Sequence, residues 1–266
     1  MKIHPTAIVD SGARLADDVE VGPYAIVGPE VAIGSGTNIR AYVLIEGSVT
    51  IGTGNVIGPG AIIGEAPQDL SFSPKTRSAV RIGNDNVIRE YCSIHRGTTE
   101  GSATQIGNKN LLMVGAHIGH NCDIGDNVVI ANNCLLAGYV SVHHNAFLGG
   151  GCAFHQYMRV GRLAMIQGAS AFGKDIPPFV IAAERNLIFG LNVIGLRRAG
   201  FSAKDRDEIK GAFRLIYTSG LNLTQALDKA AGMNLTGPAR EFVDFIVAAK
   251  KRGICPYKGG EDIPIR

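Results

Sequence analysis

Tryptophan is absent from this 266-residue chain, aromatic residues make up only 6% of it and charged residues only 18%. A core of bulky aromatic side chains is thereby excluded, and the 35 glycines point instead to many tight turns around a slim core. Long hydrophobic runs are missing as well. No stretch approaches the roughly 18 uninterrupted apolar residues of a membrane span, and the opening MKIHPTAIVD has no apolar signal core. The expectation is a cytoplasmic protein without stable membrane insertion. Charge of one sign is lacking too. The net value is +3, and no dense Lys/Arg stripe is present to neutralise phosphates, which argues against a nucleic-acid binder. Cysteine is scarce, five residues in all, and neither a disulfide framework nor a metal role is expected of them.

What the chain does have is a beat of six. Aliphatic residues recur at Ile3, Val9, Leu15, Val21, Val27, Ile33, Ile39, Ile45, Ile51, Ile57 and Ile63. The beat resumes at Ile82, Ile88 and Ile94, and again at Ile106, from which it runs unbroken through Leu112, Ile118, Ile124, Ile130, Leu136, Val142, Leu148, Phe154, Val160 and Ile166 to Phe172. Gly often follows the aliphatic, and a small residue takes the fifth place. Cys92, Cys122, Cys134 and Cys152 occupy that fifth place, as Ala25, Ala61, Ala116 and Ala146 do elsewhere, and read as small apolar fillers. Cys255 reads as an isolated tail residue. A period of six fits neither a helix nor two-residue alternation. It fits a parallel β-helix, in which each hexapeptide is a short strand plus a turn and three of them close a triangular coil. Residues 18 apart then stack at the strand spacing of about 4.8 Å.

The beat breaks twice. Ile63 and Ile82 are 19 residues apart, so the phase slips and residues 65–81 must leave the coil as a loop. Ile94 and Ile106 keep phase, but Glu100 falls where an aliphatic is due, which predicts a second excursion near TTEGSAT. Loops on a rigid scaffold are where binding groups gather. The coil is expected to end near Pro177 and Pro178, which cannot continue a backbone ladder. A β-helix over 1–178 followed by a linker and helical domain over 179–266 is the expected organisation. Ser202 and Asp205 form a capping-box pattern, with Ile209, Ala212, Phe213 and Ile216 on one helical face and Gly220 as a stop. A second helix is expected near 223–231, and a last one from Pro238 with Phe242, Phe245, Ile246 and Ala249 inward and KKRG at its end.

Four of the seven histidines lie within residues 117–144. His is the side chain suited to moving protons near neutral pH. The phase sends His117 and His120 outward from the coil, where a histidine is ordinarily just solvated. Stacking by 18 nevertheless sets Gly138 and Gln156 above His120, and His155 in the neighbouring column with Gly119 and Ala137. A proton acceptor, an unshielded backbone and two polar side chains on one wall suit acyl transfer from a thioester to an alcohol. A neutral imidazole takes the hydroxyl proton, and the Gly138 N–H stabilises the oxyanion. The same prism in γ-class carbonic anhydrases gathers three zinc-binding histidines across a subunit interface. There the two neighbouring ligands are separated by four residues, whereas two separate His117 from His120, and no acid is placed to activate a bound water. A non-catalytic spacer prism is the remaining alternative.

The strings NLLMVGAHIGHNCDIG, ANNCLLAGYVSV and GGGCAFHQY, with IGEAPQDL, IHRGT, DIPPFVIA and GLNVIGLRRAGF, resemble the UDP-N-acetylglucosamine O-acyltransferases of lipid A biosynthesis nearly end to end. The resemblance implies a left-handed prism and a homotrimer with active sites between neighbouring copies. It implies a 3-hydroxyacyl donor on acyl carrier protein, UDP-N-acetylglucosamine as acceptor, and no cofactor or metal. It puts His120 on the general base and Gly138 on the oxyanion amide. Gln68, Asp69, His117, His155 and Gln156 fall on positions that orient the sugar or acyl group. Asn192 and Arg198 fall on the nucleotide stretch, and Gly168 on the floor of the acyl groove. Asn121 stands where the family example has Asp, so the ring is expected to be oriented through the Asn carbonyl. Tyr139 replaces a His, Ser71 a Lys, Ile194 a Glu and Ala199 an Arg, which leaves a 3-amino sugar nucleotide open as the acceptor. Arg159, Arg162, Lys174, Arg197, Arg198, Lys204 and Arg206 form a basic group that would suit an acidic carrier protein.

Overall fold

The coil is present in the computed structural model, which describes residues 2–249 and 252–259. Strands mostly of two residues stack into three sheets of 11, 9 and 8 strands. All pairings between named strands are parallel except the last, in which Val180–Ala183 meets Leu187–Leu191. Registers such as Leu135↔Ala153, Val129↔Phe147 and Asp123↔Ser141 hold partners 18 residues apart. The first face carries Leu111–Leu112, the second His117–Ile118 and the third Asp123–Ile124.

Aliphatics of the beat from Val21 onward are buried and form the core with the fifth-place residues. Ile57, Ile63, Ile88, Leu112 and Ile118 are fully buried. Cys92, Cys122, Cys134 and Cys152 are buried and unpaired. Burial pushes the Cys92 thiol up to about 11 and the Cys122 thiol to about 12, so both stay protonated and behave as apolar filler. Cys255 departs from its sequence reading. It too is buried, its N–H donates to the Asp175 carbonyl at 2.9 Å, and its own carbonyl accepts from the Tyr217 hydroxyl at 3.1 Å.

One internal column is polar. Asn55, Asn86 and Asn110 occupy fifth places and form a ladder through the core. The Asn55 Oδ1 accepts the Asn86 N–H at 2.9 Å, Asn86 Oδ1 accepts the Asn110 N–H at 2.9 Å, and Asn110 Oδ1 accepts the Val128 N–H at 2.7 Å. Each side chain thus bonds a corner amide that the strands leave unpaired.

Both excursions lie where the beat breaks. The first loop is shorter than 65–81, since Glu65 and Ala79–Arg81 stay in strands and only residues 66–78 separate Ile62–Glu65 from Ala79–Ile82; residues 96–102 separate Ser93–His95 from Ala103–Ile106. The ladders resume in register on either side, Ile82 pairing with both Ile51 and Ile106. Outward positions differ by face. The third presents Thr50, Arg81, Gln105, Asp123 and Ser141, whereas the second begins with an aliphatic column of Ile8, Ile26, Leu44 and Ile62.

Beyond the prolines, Val180–Ala183 still pairs in parallel with Met165–Ile166. Helices α1 (Val193–Arg198), α2 (Ala203–Tyr217), α3 (Leu223–Ala231) and α4 (Gly237–Val247) follow. The Ser202/Asp205 capping box forms in full, and Pro238 lies in the first turn of α4. Ala249 lies past the end of α4 and is half-buried, while Lys250 and Lys251 fall outside the described residues. Helix α4 is held to the prism by Arg159. Its guanidinium pairs with buried Asp175 at 2.7 Å, donates to the Phe245 carbonyl at 2.9 Å and lies over the Phe245 ring. No helix among the described residues is long and apolar enough to cross a membrane.

Candidate active site

The edge between the second and third faces brings His120, Gly138 and Gln156 into one column. Tyr139 N–H donates to the His120 carbonyl at 2.9 Å, and Tyr157 N–H to the Gly138 carbonyl at 3.0 Å. The turn requires a left-handed backbone at the next position, held by Asn121 (φ 59°), Tyr139 (φ 60°) and Tyr157 (φ 64°). Asn adopts this conformation readily; Tyr does so at a cost of about 1–2 kcal/mol. The two tyrosine rings stack at 4.6 Å, and Tyr139 meets His120 edge-on at 5.3 Å. A Cβ at Gly138 would fall within the His120 imidazole, so only glycine leaves the ring its place. The Gly138 N–H has no acceptor among the described residues.

Asn121 fixes the protons of His120. Its Oδ1 accepts the Thr98 backbone N–H at 2.9 Å, which identifies that atom as the carbonyl oxygen, since two donors cannot face each other. The same oxygen accepts the Thr98 hydroxyl at 2.9 Å and lies 3.0 Å from His120 Nδ1. Nδ1 must therefore carry hydrogen, and in the neutral ring Nε2 holds the lone pair. Thr98 has spent its hydroxyl proton on Asn121, so the Tyr139 hydroxyl, 3.1 Å away, donates to Thr98. A directed chain runs from Tyr139 through Thr98 to Asn121, with His120 donating into the same oxygen.

His117 lies beside this column on the second face. Its Nδ1 is 2.8 Å from the Ser93 hydroxyl, and its ring meets His95 edge-on at 4.9 Å. Burial, with the His120 charge adding to it, lowers the His117 pKa, so this ring is neutral near pH 7. Asp69, on the first insertion, accepts the Ser71 N–H at 2.8 Å and hydroxyl at 2.7 Å. Those bonds hold its carboxyl below the ordinary range, with His120 near enough to add a smaller favourable charge. Gln68, His155 and Gln156 are exposed, and His155 Nδ1 is 3.3 Å from the Gln156 carbonyl.

Other residues singled out in the sequence do not join this corner within one chain. Gly168 lies on the edge between the first and second faces, beside Gly150. Asn192 caps α1, its Oδ1 accepting the Gly195 N–H and its Nδ2 donating to the Leu163 carbonyl, both at 2.9 Å. Arg198 is exposed in the last turn of that helix. Of the basic group, Arg159 and Arg162 are spent on Asp175 and Glu241 and pack the helices on the prism.

Sequence reasoning missed His95. It is 7% exposed, and burial foremost, with His117 second, pushes its pKa down to about 4, so it is a neutral wall behind His117. The signal was available: His95 follows Ile94 in a place where most coils have Gly or Ala. Thr98 gave no such signal, because its role depends on how the second insertion folds back, whereas Ser93 meets His117 as its register partner on the second face. Among the described residues no group of three or more His, Cys, Asp or Glu side chains is placed to hold a metal ion.

Known proteins resemble this chain. Residues 103–138 match the bacterial transferase hexapeptide model, and residues 175–255 match the model described as UDP N-acetylglucosamine O-acyltransferase, domain 2. The acyl-[acyl-carrier-protein]–UDP-N-acetylglucosamine O-acyltransferase of Paraburkholderia phymatum is 51% identical over 260 residues, 95% of this chain and 98% of that protein. The chain belongs to the UDP-N-acetylglucosamine O-acyltransferase family. Solved structures of family members agree. LpxA from Acinetobacter baumannii is 40% identical with a TM-score of 0.90, covering 95% of this chain and 98% of its own. The UDP-N-acetylglucosamine acyltransferase of Francisella novicida is 35% identical with a TM-score of 0.92, covering 97% and 95%. The prism is the left-handed β-helix of the family, and the chain is an acyltransferase.

Proposed function

We propose that the chain transfers a 3-hydroxyacyl group from acyl carrier protein to the glucosamine 3-hydroxyl of UDP-N-acetylglucosamine, the first step of lipid A biosynthesis, in the cytoplasm. The observation that carries the mechanism is the Asn121 carbonyl on His120 Nδ1, which leaves Nε2 as the base. The sugar oxygen attacks the thioester carbonyl as Nε2 takes its proton. The oxyanion forms against the Gly138 N–H, the C–S bond breaks, and the imidazolium returns the proton to the departing thiolate. Neutral His117 and the Asp69 carboxylate are suited to hydroxyls of the sugar, with Gln68, His155 and Gln156 at the rim.

Residues 1–178 would form the catalytic prism, and 179–266 the linker and helical domain that bring Asn192 and Arg198 to the nucleotide. Gly168 serves the acyl chain from another edge, so a complete site draws on a neighbouring copy. The aliphatic column of Ile8, Ile26, Leu44 and Ile62 on the second face supports self-association into a homotrimer. Asn121 supplies less basicity to His120 than a carboxylate, which favours testing a 3-amino acceptor beside the 3-hydroxyl. Transfer from a panel of carrier-linked acyl donors to both sugar nucleotides decides between ester and amide formation. Transfer to neither contradicts the reading.

A further inference from the structure

We propose that the two insertion loops enclose a second binding site, for a phosphate-type oxyanion. The loops are tied to one another: the Arg77 N–H donates to the Glu100 carboxylate at 2.9 Å, and the Gly101 N–H to the Arg77 carbonyl at 2.8 Å. Beside this junction lies a cavity of about 430 Å³, lined by Lys75, Arg77, Arg81 and Arg96 against the single carboxylate of Glu30. None of those four cations is in an ion pair among the described residues. A concave surface of one sign concentrates counter-ions.

Two further donors in the same wall lack acceptors, the hydroxyl of Ser78, a residue 6% exposed, and Nε of Arg96. The Arg96 guanidinium is held in place over the Phe72 ring at 5.3 Å and by the Gly64 carbonyl at 3.3 Å. A wall in which four cations and a hydroxyl outnumber one carboxylate matches an anionic ligand that accepts hydrogen bonds. Phosphate oxygens do so, and the guanidinium fork fits them in pairs. The ion would clamp the loops that carry Asp69 and Thr98, since Arg96 directly follows His95 and Arg77 closes the first loop.

Titration of the full-length chain with inorganic phosphate, and separately with UDP, at ionic strength fixed with sodium chloride tests the site. Wild type and His120→Ala bind phosphate saturably with equal affinity, which separates this site from the catalytic reading. Arg77→Gln and Lys75→Gln, both exposed side chains whose loss leaves folding intact, together weaken phosphate at least tenfold, and Ser78→Ala weakens it severalfold. A parallel loss of UDP affinity assigns the anion to the diphosphate of a nucleotide, and unaltered UDP affinity assigns it to a free phosphate. The absence of saturable phosphate binding, or an affinity unmoved by the paired substitution, overturns the proposal.

Discussion

At His120 the partner of one ring nitrogen decides what the other can do, and that partner is the Asn121 amide carbonyl, as expected from the sequence. Asn121 Oδ1 receives three donors, so it holds the tautomer without adding charge. Asn121→Ala releases the tautomer and should lower kcat by about 10²-fold, within the range of general-base effects, with KM little altered. Asn121→Asp places a negative charge against the ring and should move the acid limb of the pH–rate profile upward; coincident profiles would remove Asn121 from the mechanism. His95 offers a separate test on stability. Its folded pKa of about 4 lies below the ordinary 6.5, so the unfolded chain takes the proton first. Stability is therefore intact above pH 6.5 and declines as pH falls from 6.5 toward 4. His95→Gln should flatten that decline in denaturant melts, and an identical slope would contradict the buried, neutral assignment. The sequence placed His120, Gly138 and Gln156 in one column because stacking by 18 is a property of the coil. It could not show Thr98, whose contacts depend on a loop without periodicity.

Among the elements, the hexapeptide strands were legible down to single residues, since one inward aliphatic per strand is all the coil demands. The capped helices were nearly as plain: Ser202 with Asp205 and the span 223–231 appear as read. The asparagine ladder was less so, because Asn at a fifth place resembles any other small residue until its amide is seen bonding across coils. Replacing Asn86 by Leu removes the acceptor of the Asn110 N–H, while Asn55 Oδ1 keeps the backbone N–H of residue 86. One buried donor left unpaired costs roughly 1–3 kcal/mol. A loss of about 1–3 kcal/mol should appear as a lower urea midpoint at unchanged slope, and a midpoint equal to wild type would show the ladder to be dispensable.

For the whole molecule, the two breaks in the beat and the aliphatic column on one face carry the functional reading. Both insertions fold back to the edge that holds His120, as Asp69 and Thr98 show. Gly168 stacks on Gly150 at a different edge from His120, as repetition every 18 residues requires. If Ile26 faces a second copy, Ile26→Lys should shift sedimentation from trimer toward smaller species and depress transfer while the far-ultraviolet spectrum stays that of a β-helix. Unchanged sedimentation would place the contact elsewhere. Single-turnover transfer from 3-hydroxyacyl carrier protein to UDP-N-acetylglucosamine, wild type against His120→Ala, should give a 3-O-acyl product from wild type and a rate at least about 10²-fold lower in the variant; equal rates would remove His120 as the base, and no acylated sugar from wild type would overturn the proposed reaction.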